Sequence, residues 1–347
     1  MESMGRGSKP FDRLMALSGV EGSFDRLTAP SQVEGPQEYY LYFEDFEPKP
    51  DNESGRKPKF CKGLMIIDVH THIFPPEVRK NRAAYFESEA DFAAIYQDET
   101  ARMIGAAELV AAMDQAGVDK AAAFGFPWSD EGHARAGNEY VREAQARYPG
   151  RIVGLASLNP VTDWAPREAA RALDSGLWGL GELALYGRGF DREALDRLAV
   201  LGRLCRERNR LMLVHVNEPI GHRYPGKAPL TLAMIYDLVR SLPEVKLVLA
   251  HWGGGLFFYH LLLREVPAAL THVFVDTAAS PFLYRPEIYR LACQIIGPEK
   301  VLFGSDFPLI DPKRYFREIE ASGLDVEAAR LVKGEAAARL LAEVGAF

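Results

Sequence analysis

Residues 64–74, LMIIDVHTHIF, place polar side chains at every second position of an apolar run: Asp68, His70 and His72. A short, β-prone apolar run of this kind predicts a buried strand. Because side chains alternate between the two faces of a strand, we expect the three polar groups to point to one side. They are either hydrogen-bonded core residues or the first ligands of a metal site that other parts of the chain complete.

Short β-prone runs alternate with longer amphipathic stretches from Leu64 onward. This alternation is typical of repeated βα units around a parallel sheet. Eight such repeats predict an α/β fold of the (β/α)8 barrel type, and the stretch DVEAARLVKGEAAARLLAEV is expected to be its closing helix. The segment from Ile73 to Gly105 is long for a βα loop, so it should lie over the C-terminal end of the first strand. The expected strands span residues 64–70, 121–126, 152–158, 177–183, 211–216, 246–252, 273–278 and 301–307.

The first 62 residues differ in character from the rest. FDRLMALSGVEG, beginning at Phe11, recurs as the near-copy FDRLTAPSQVEG, beginning at Phe24. Two copies are too few for a solenoid, and the charged, proline-rich segment that follows is typical of a linker. We therefore expect a poorly ordered extension at 1–62, with a 13-residue near-repeat, followed by the barrel at 63–347.

Composition excludes several classes of protein. The net charge of −7 and the pI near 5.7 disfavour a nucleic-acid partner. No run approaches the length of a membrane span, and no secretory signal is visible. Cys61, Cys205 and Cys293 are scattered, which fits neither a disulfide framework nor a thiolate metal site. The expectation is a cytoplasmic protein that acts on a small molecule, as a monomer or a homo-oligomer.

Polar residues collect at the C-terminal ends of the predicted strands, where barrel enzymes build their active sites. Four of the eight histidines fall there, far more than random placement would give. Imidazole and carboxylate donors suit a divalent metal such as zinc, which lowers the pKa of bound water to ~7. The sequence therefore predicts a site for one or two ions. The residues at these ends are His70 and His72 (strand 1), Glu182 (strand 4), His215 (strand 5), His251 (strand 6) and Asp306 (strand 8).

Five separated segments carry a family resemblance: MIIDVHTHIFP, LMLVHVNEP, LVLAHWGGG, FVDTAASP and VLFGSDFP. In this order they resemble the amidohydrolase superfamily, specifically the amidohydrolase-related group of TIM-barrel metal-dependent hydrolases and decarboxylases, over residues 64–343. The resemblance implies that His70, His72, His215 and Asp306 bind the metal. It also implies that His251 acts on substrate or on bound water, or binds a second ion.

One departure from the family pattern concerns strand 4. Many amidohydrolases bridge two metals there with a carboxylated lysine, but no lysine occurs between Leu177 and Arg188. Glu182 resembles instead the strand-4 glutamate of TatD-like nucleases, which implies metal contact; the alternative is a glutamate that hydrogen-bonds the loops at the barrel rim. Asp68 and Asp276 are expected to be supporting polar groups near the site.

Substrate contacts are predicted from two loops. The loop after strand 5 offers Arg223, Tyr224 and Lys227, which can bind a substrate carboxylate or simply be solvated. Trp128, after strand 2, is placed to pack on an organic ring.

The favoured hypothesis is a metal-dependent hydrolase. A metal-activated water loses its proton to Asp306 and attacks a carbonyl-type carbon of an amide, ester or lactone, while His251 helps to stabilise the oxyanion. The alternative is non-oxidative decarboxylation of an aromatic or unsaturated carboxylic acid, with Asp306 or His251 handling the proton. Two further hypotheses are a TatD-like nuclease, which the acidic pI disfavours, and a non-catalytic barrel.

Overall fold

The computed structural model describes residues 65–346, so the predicted extension at 1–62 and its near-repeat lie outside the described residues. The described chain alternates strands and helices, as expected. All eight predicted strands are present, although most end earlier than predicted. They are β1 (Ile67–His72), β2 (Lys120–Phe124), β3 (Ile152–Gly154), β4 (Gly179–Leu183), β5 (Leu211–Val214), β6 (Lys246–Leu249), β7 (Val273–Asp276) and β8 (Val301–Leu302).

The eight strands close into a barrel. Parallel pairing runs from β1 to β3 and from β4 to β8. Backbone hydrogen bonds join the two sets at both seams: the Gly181 amide donates to the Ala156 carbonyl at 2.8 Å, and the Val69 amide donates to the Phe303 carbonyl at 2.8 Å. The predicted (β/α)8 barrel is confirmed.

Two strands contain a bulge, and both bulges carry a predicted metal ligand. In β1, Asp68 pairs with Ala121 but His72 pairs with Phe124, so β1 has one extra residue. β4 gains one residue against β5 in the same way, around Glu182. The expectation that Asp68 shares a face with His70 and His72 is therefore wrong: both histidines point to the same side, but the bulge shifts the alternation, so Asp68 faces the other side.

A close approach of two strands accompanies the second bulge. A Cβ added to Gly181 would lie 2.7 Å from the Leu213 Cβ of β5. Only glycine fits at this position without displacing the neighbouring strand.

The helices surround the barrel. Several begin with an aspartate or threonine whose side chain accepts a backbone amide of the first turn, for example Asp130, Asp191 and Thr231. The helices are α1 (Pro76–Lys80), α2 (Ala90–Tyr96), α3 (Ala106–Ala116), α4 (Glu131–Arg147), α5 (Ala165–Asp174), α6 (Arg192–Glu207), α7 (Leu232–Ser241), α8 (Ala250–Gly253), α9 (Glu265–Ala269), α10 (Ser280–Leu283), α11 (Glu287–Ile296), α12 (Pro312–Ala321), α13 (Val326–Arg330) and α14 (Ala336–Glu343), with 3-10 turns at Arg82–Tyr85, Leu256–Leu261 and Pro298–Lys300. None of the helices in the described part of the chain is long and apolar enough to cross a membrane.

The predicted closing helix is broken into three parts. A π-helical turn, Leu331–Glu335, separates α13 from α14. At this turn the chain presses against the start of β1, where a Cβ on Gly334 would lie 2.0 Å from the Met65 carbonyl oxygen. Behind it, Leu340 and Leu341 of α14 pack on Ile67 and other barrel-interior side chains. The end of the barrel opposite the predicted site is thus sealed by apolar contacts.

The segment between β1 and α3 folds over the end of the barrel that holds the predicted site, as expected. Its helix α2 packs Phe92 against Trp128 at 4.6 Å and against Phe126 at 5.2 Å between ring centroids. The buried Glu89 carboxylate accepts the backbone amides of Ser129 and Asp130 at 2.8–3.2 Å. These contacts fix the segment over the C-terminal end of the strands.

Candidate metal centre

The structure brings all six predicted metal-site residues together at one end of the barrel. His70, His72 and Glu182 lie within their bulged strands. His215 directly follows β5, His251 follows β6 by two positions, and Asp306 follows β8 by four. In the regular strands the site residue thus follows the last strand residue by one to four positions. In the bulged strands the site residues are part of the strand itself.

His70 lies at the centre of the cluster and is completely buried. Its Nδ1 donates to the Asp276 carboxylate at 2.9 Å, because a carboxylate oxygen can only accept. Its Nε2 is therefore the nitrogen that faces the centre, and this buried atom has no hydrogen-bond partner in the described part of the chain. It lies 3.8 Å from Glu182 Oε1 and 3.7 Å from Asp306 Oδ1. Positive charge is therefore required at this position, either as a proton on Nε2 or as a metal ion bound to its lone pair.

His215 and His251 are held in the same manner. His215 Nε2 donates to the Gly226 carbonyl at 3.0 Å, and His251 Nδ1 donates to the Ala278 carbonyl at 3.1 Å. Their remaining nitrogens, His215 Nδ1 and His251 Nε2, lie 3.2 Å apart. They are 2.9 and 3.5 Å from Glu182 Oε1. Backbone acceptors thus fix which nitrogen of each ring faces the centre.

His72 and Asp306 form the more exposed side of the cluster. His72 Nε2 lies 3.2 Å from Asp306 Oδ1, and these side chains are 10% and 14% exposed, against 0% for His70 and 2% for Glu182. Asp306 adopts a left-handed backbone conformation with φ of 58°. The centre is therefore open to ligands on the side of His72 and Asp306.

The charges in the cluster shift its pKa values strongly. Burial alone would lower the pKa of His70, but the carboxylates of Asp276 and Glu182 outweigh it and raise this pKa to about 10. Burial opposes ionisation of Asp306, yet His72 and His70 hold its pKa at about 2. His215 and His70 likewise keep the pKa of Glu182 well below its usual range, against the effect of burial. Without a metal, protons on His70 and His251, whose pKa values are both raised, supply positive charge that the two carboxylates need.

The donor set fits a divalent metal. Three overlapping groups have ligand atoms within 4.8 Å of one another: His70–His251–Asp306, His70–His72–Glu182 and Glu182–His215–His251. The closest spacings of 2.9–3.8 Å resemble the ~3.0–3.4 Å between ligands of one ion with bonds of ~2.1 Å. Imidazole nitrogen with carboxylate oxygen is a set that zinc, manganese and iron all accept.

Two aspartates outside the cluster support it. One Asp276 oxygen accepts a hydrogen bond from the His70 ring, and the other accepts one from the His251 backbone amide at 2.9 Å. Asp68 accepts the Ser305 hydroxyl at 2.5 Å and the Ser305 amide at 3.0 Å. Burial raises the pKa of Asp68 to about 7, although its hydrogen bonds to Ser305 oppose this. These hydrogen bonds connect β1 to β7, β7 to the residues after β6, and β1 to the residues after β8.

None of the four predicted substrate contacts belongs to the three donor groups, although the charge of Asp306 acts on the Tyr224 phenol. Trp128 is buried in the aromatic core beneath the segment after β1. Arg223 is exposed. Tyr224 and Lys227 both bind Glu218, at 3.0 and 2.6 Å, and Lys227 also donates to backbone carbonyls of the same loop. Tyr224 and Lys227 therefore hold the loop after β5 in shape.

Two tyrosines that the sequence reasoning did not select lie beside the cluster. The Tyr186 hydroxyl is 3.5 Å from Glu182 Oε2. The charges of Asp306 and Glu182 act on the Tyr96 phenol. Tyr186 follows Glu182 by four positions, which was an available signal, but Tyr96 lies in a helix of the long β1–α3 segment and no strand pattern identifies it.

A cavity of about 580 Å³ lies among the loops that follow β5, β6 and β7. Its walls are mostly apolar and include Leu232, Phe258, Phe282 and Tyr284, with Glu218 as a charged member. The loops that line the cavity are at the same end of the barrel as the metal centre, but none of the six cluster residues lines it.

Comparison with solved structures supports the fold. The 5-carboxyvanillate decarboxylase from Sphingomonas paucimobilis is 18% identical, with a TM-score of 0.59 over 80% of this chain and 98% of that one. A dihydroxybenzoic acid decarboxylase from Polaromonas sp. JS666, with bound manganese and 2-nitroresorcinol, is 16% identical (TM-score 0.58; 80% and 97%). A putative 2-pyrone-4,6-dicarboxylic acid hydrolase from Pseudomonas putida is 18% identical (TM-score 0.55; 81% and 98%).

None of the curated proteins compared matches the chain. A family model does match: the amidohydrolase model covers residues 67–342, which include all six residues of the cluster. The predicted family is thereby confirmed, and the chain is an enzyme that belongs to the amidohydrolase family.

Proposed function

We propose that the chain is a metal-dependent, non-oxidative decarboxylase of an aromatic or unsaturated carboxylic acid. The observation that carries the proposal is the buried, unpartnered His70 Nε2, which faces Glu182 and Asp306. It lies in a barrel whose fold resembles those of two aromatic-acid decarboxylases. The apolar cavity at the same end of the barrel suits an organic acid as the small-molecule partner.

The metal would be held by His70, His72, His215, Asp306 and Glu182. We expect one divalent ion, because the donor atoms form one continuous cluster rather than two separate ones. Zinc follows from the ligand types, and manganese, present in one of the similar structures, is accepted by the same donors. When bound, the metal supplies positive charge that orients the acid and stabilises negative charge on its oxygens.

The protein's own proton source is His251. Its Nδ1 is committed to the Ala278 carbonyl, so a proton for transfer is carried at Nε2, on the side that faces the centre. In the proposed reaction the carbon that bears the carboxylate accepts this proton, its bond to the carboxylate breaks, and CO2 leaves. Asp306, an anion with a pKa of about 2, acts as a hydrogen-bond acceptor and is a poor proton donor.

Hydrolysis is the second candidate, and the position of Asp306 favours it. Its carboxylate lies on the more exposed side of the cluster, 3.2 Å from His72 Nε2. There it can accept a proton from an attacking water and return it to the leaving group of an amide, ester or lactone. The putative pyrone hydrolase among the similar structures represents this chemistry.

One experiment separates the two activities. The protein loaded with Mn2+ or Zn2+ is incubated in D2O with 5-carboxyvanillate, 2,6-dihydroxybenzoate and 2-pyrone-4,6-dicarboxylate. We expect CO2 release and one deuterium on the product carbon that carried the carboxylate. Opening of the lactone without CO2 release would replace the proposal with a hydrolase.

The cytoplasmic location and the homo-oligomeric state expected from the sequence remain predictions.

A further inference from the structure

Two tyrosines interact with the acidic residues of the metal centre, Tyr186 through a contact with Glu182 and Tyr96 through the charges of Asp306 and Glu182. Tyr186, in the loop after β4, has its hydroxyl 3.5 Å from Glu182 Oε2. Its ring lies 4.9 Å from the His215 ring, edge to face. A separation of 3.5 Å is long against the 2.7–2.8 Å typical of an O–H···O hydrogen bond. The Tyr186 donor is thus available to another acceptor.

Tyr96 is the last residue of α2, and its ring contacts Phe126. Its ring packs on Phe74 at 5.2 Å and on Phe92 at 4.9 Å. Burial raises its pKa, and the charges of Asp306 and Glu182 raise it further, so the phenol stays protonated. No hydrogen bond from the Tyr96 hydroxyl is present within residues 65–346. This phenol too is an unused donor.

Phe126 contacts the rings of both tyrosines. Its ring lies 6.0 Å from the Tyr186 ring, nearly parallel to it, and 6.1 Å from the Tyr96 ring, edge to face. Phe126 is itself buried. Because their rings are packed against the aromatic core, the two hydroxyls are held in place before any ligand binds, which lowers the entropic cost of binding.

We propose that the Tyr96 and Tyr186 hydroxyls donate hydrogen bonds to an oxygen anion of an aromatic acid at the metal centre. The inference rests on the proposed function and assigns its substrate-binding donors. Beside Glu182 and Asp306, an incoming anion needs neutral donors that offset the repulsion from these carboxylates. Both the carboxylate and a ring phenolate of such an acid supply the required oxygen.

The test measures binding, not turnover. Metal-loaded wild type, Tyr186→Phe and Tyr96→Phe are titrated calorimetrically with benzoate, resorcinol and 2,6-dihydroxybenzoate. We expect each variant to bind 2,6-dihydroxybenzoate about 10-fold more weakly, because one hydrogen bond to an anion is lost while the ring is kept. Weaker benzoate binding identifies the carboxylate as the acceptor; weaker resorcinol binding identifies the ring oxygen.

Tyr85→Phe is the matched control. Tyr85 belongs to the same aromatic cluster and packs on Phe92 and Trp128, so its variant tests the loss of a hydroxyl from that cluster. Metal content is measured for every variant and should equal that of the wild type. Wild-type affinity in both Tyr186→Phe and Tyr96→Phe would overturn the assignment, as would a metal-loaded wild type that binds none of the three probes. If the wild type binds the probes and the two variants bind them more weakly, but no CO2 is released, the proposed function is overturned while the assignment of the two tyrosine donors stands.

Discussion

The strands of this barrel position the residues of the metal centre in two ways. β5 and β6 pair residue for residue, and His215 and His251 follow just after their ends. β1 and β4 each contain a bulge, and His70 and Glu182 lie within them. The side chains within the bulges are 0% and 2% exposed, whereas both histidines from the regular strands are 8% exposed and His72, which follows the β1 bulge, is 10% exposed. The bulges therefore place ligands deeper in the barrel than regular pairing does.

The largest effect should come from the ligands on the bulged strands. His70 and Glu182 each belong to two of the three donor groups, as does His251 from a regular strand, whereas His215 belongs to one. We expect His70→Ala and Glu182→Gln to lower metal affinity at least ~100-fold and His215→Ala ~10-fold. Metal titration with elemental analysis checks this order, and exposed His272→Ala serves as the control. A stoichiometry that falls from two ions to one in Glu182→Gln would contradict the single-ion site.

Metal binding should release a proton from His70. Its pKa of about 10 keeps it protonated at pH 7, but a metal ligand must be neutral, so affinity should rise about 10-fold per pH unit below that pKa. Calorimetry in buffers of different ionisation enthalpy measures the proton. Asp276→Asn removes a main cause of the raised pKa and should reduce the release near neutral pH; unchanged release in this variant would contradict the assignment.

The same shift predicts the pH dependence of the metal-free protein. Because the folded pKa of His70 exceeds the ordinary value of 6.5, its contribution to stability is complete below pH 6.5 and is lost as pH rises towards 10. Urea unfolding of the chelator-treated protein at pH 6.5 and pH 9.5 should show this decline, and Asp276→Asn should flatten it.

The glycine at the β4 bulge should matter more for stability than a glycine in a turn. A Cβ at position 181 would collide with Leu213, so Gly181→Ala is expected to lower the free energy of unfolding by about 3 kcal/mol. Gly150→Ala, where a Cβ would meet nothing within 4 Å, should cost about 1 kcal/mol through its φ of +75°. Urea denaturation measures both. Equal losses would mean that the bulge tolerates a side chain.

The smallest effect concerns the support behind Glu182. The buried Ser157 hydroxyl donates to the Glu182 carbonyl at 2.7 Å. Ser157→Ala should cost about 1 kcal/mol, since a buried hydrogen bond is lost. Ser175→Ala loses a similar bond at a partly buried helix end, where water replaces it, and should cost less. A greater loss for Ser175→Ala would show that Ser157 does not brace the β4 bulge.

The fold and the six clustered residues were predictable because they depend on periodicity and order along the chain. The bulges were not, since one extra residue changes the face of every later side chain while the apolar pattern of LMIIDVHTHIF stays the same. Loop contacts were also beyond sequence reasoning. Nothing local indicates that Lys227 turns towards Glu218, or that the charges of Asp306 and Glu182 act on Tyr96, which lies in a helix of the long segment after β1.

Closure of the barrel between its first and last strands has a consequence for how the enzyme is made. Asp68 and Ser305, whose hydrogen bonds help to close it, are 237 positions apart. A ribosome must therefore translate nearly the whole chain before His70 meets Asp306. Until then β1 has only one of its two neighbours, and its free edge is open to wrong partners. Metal uptake should accordingly be one of the last events in the maturation of the nascent chain.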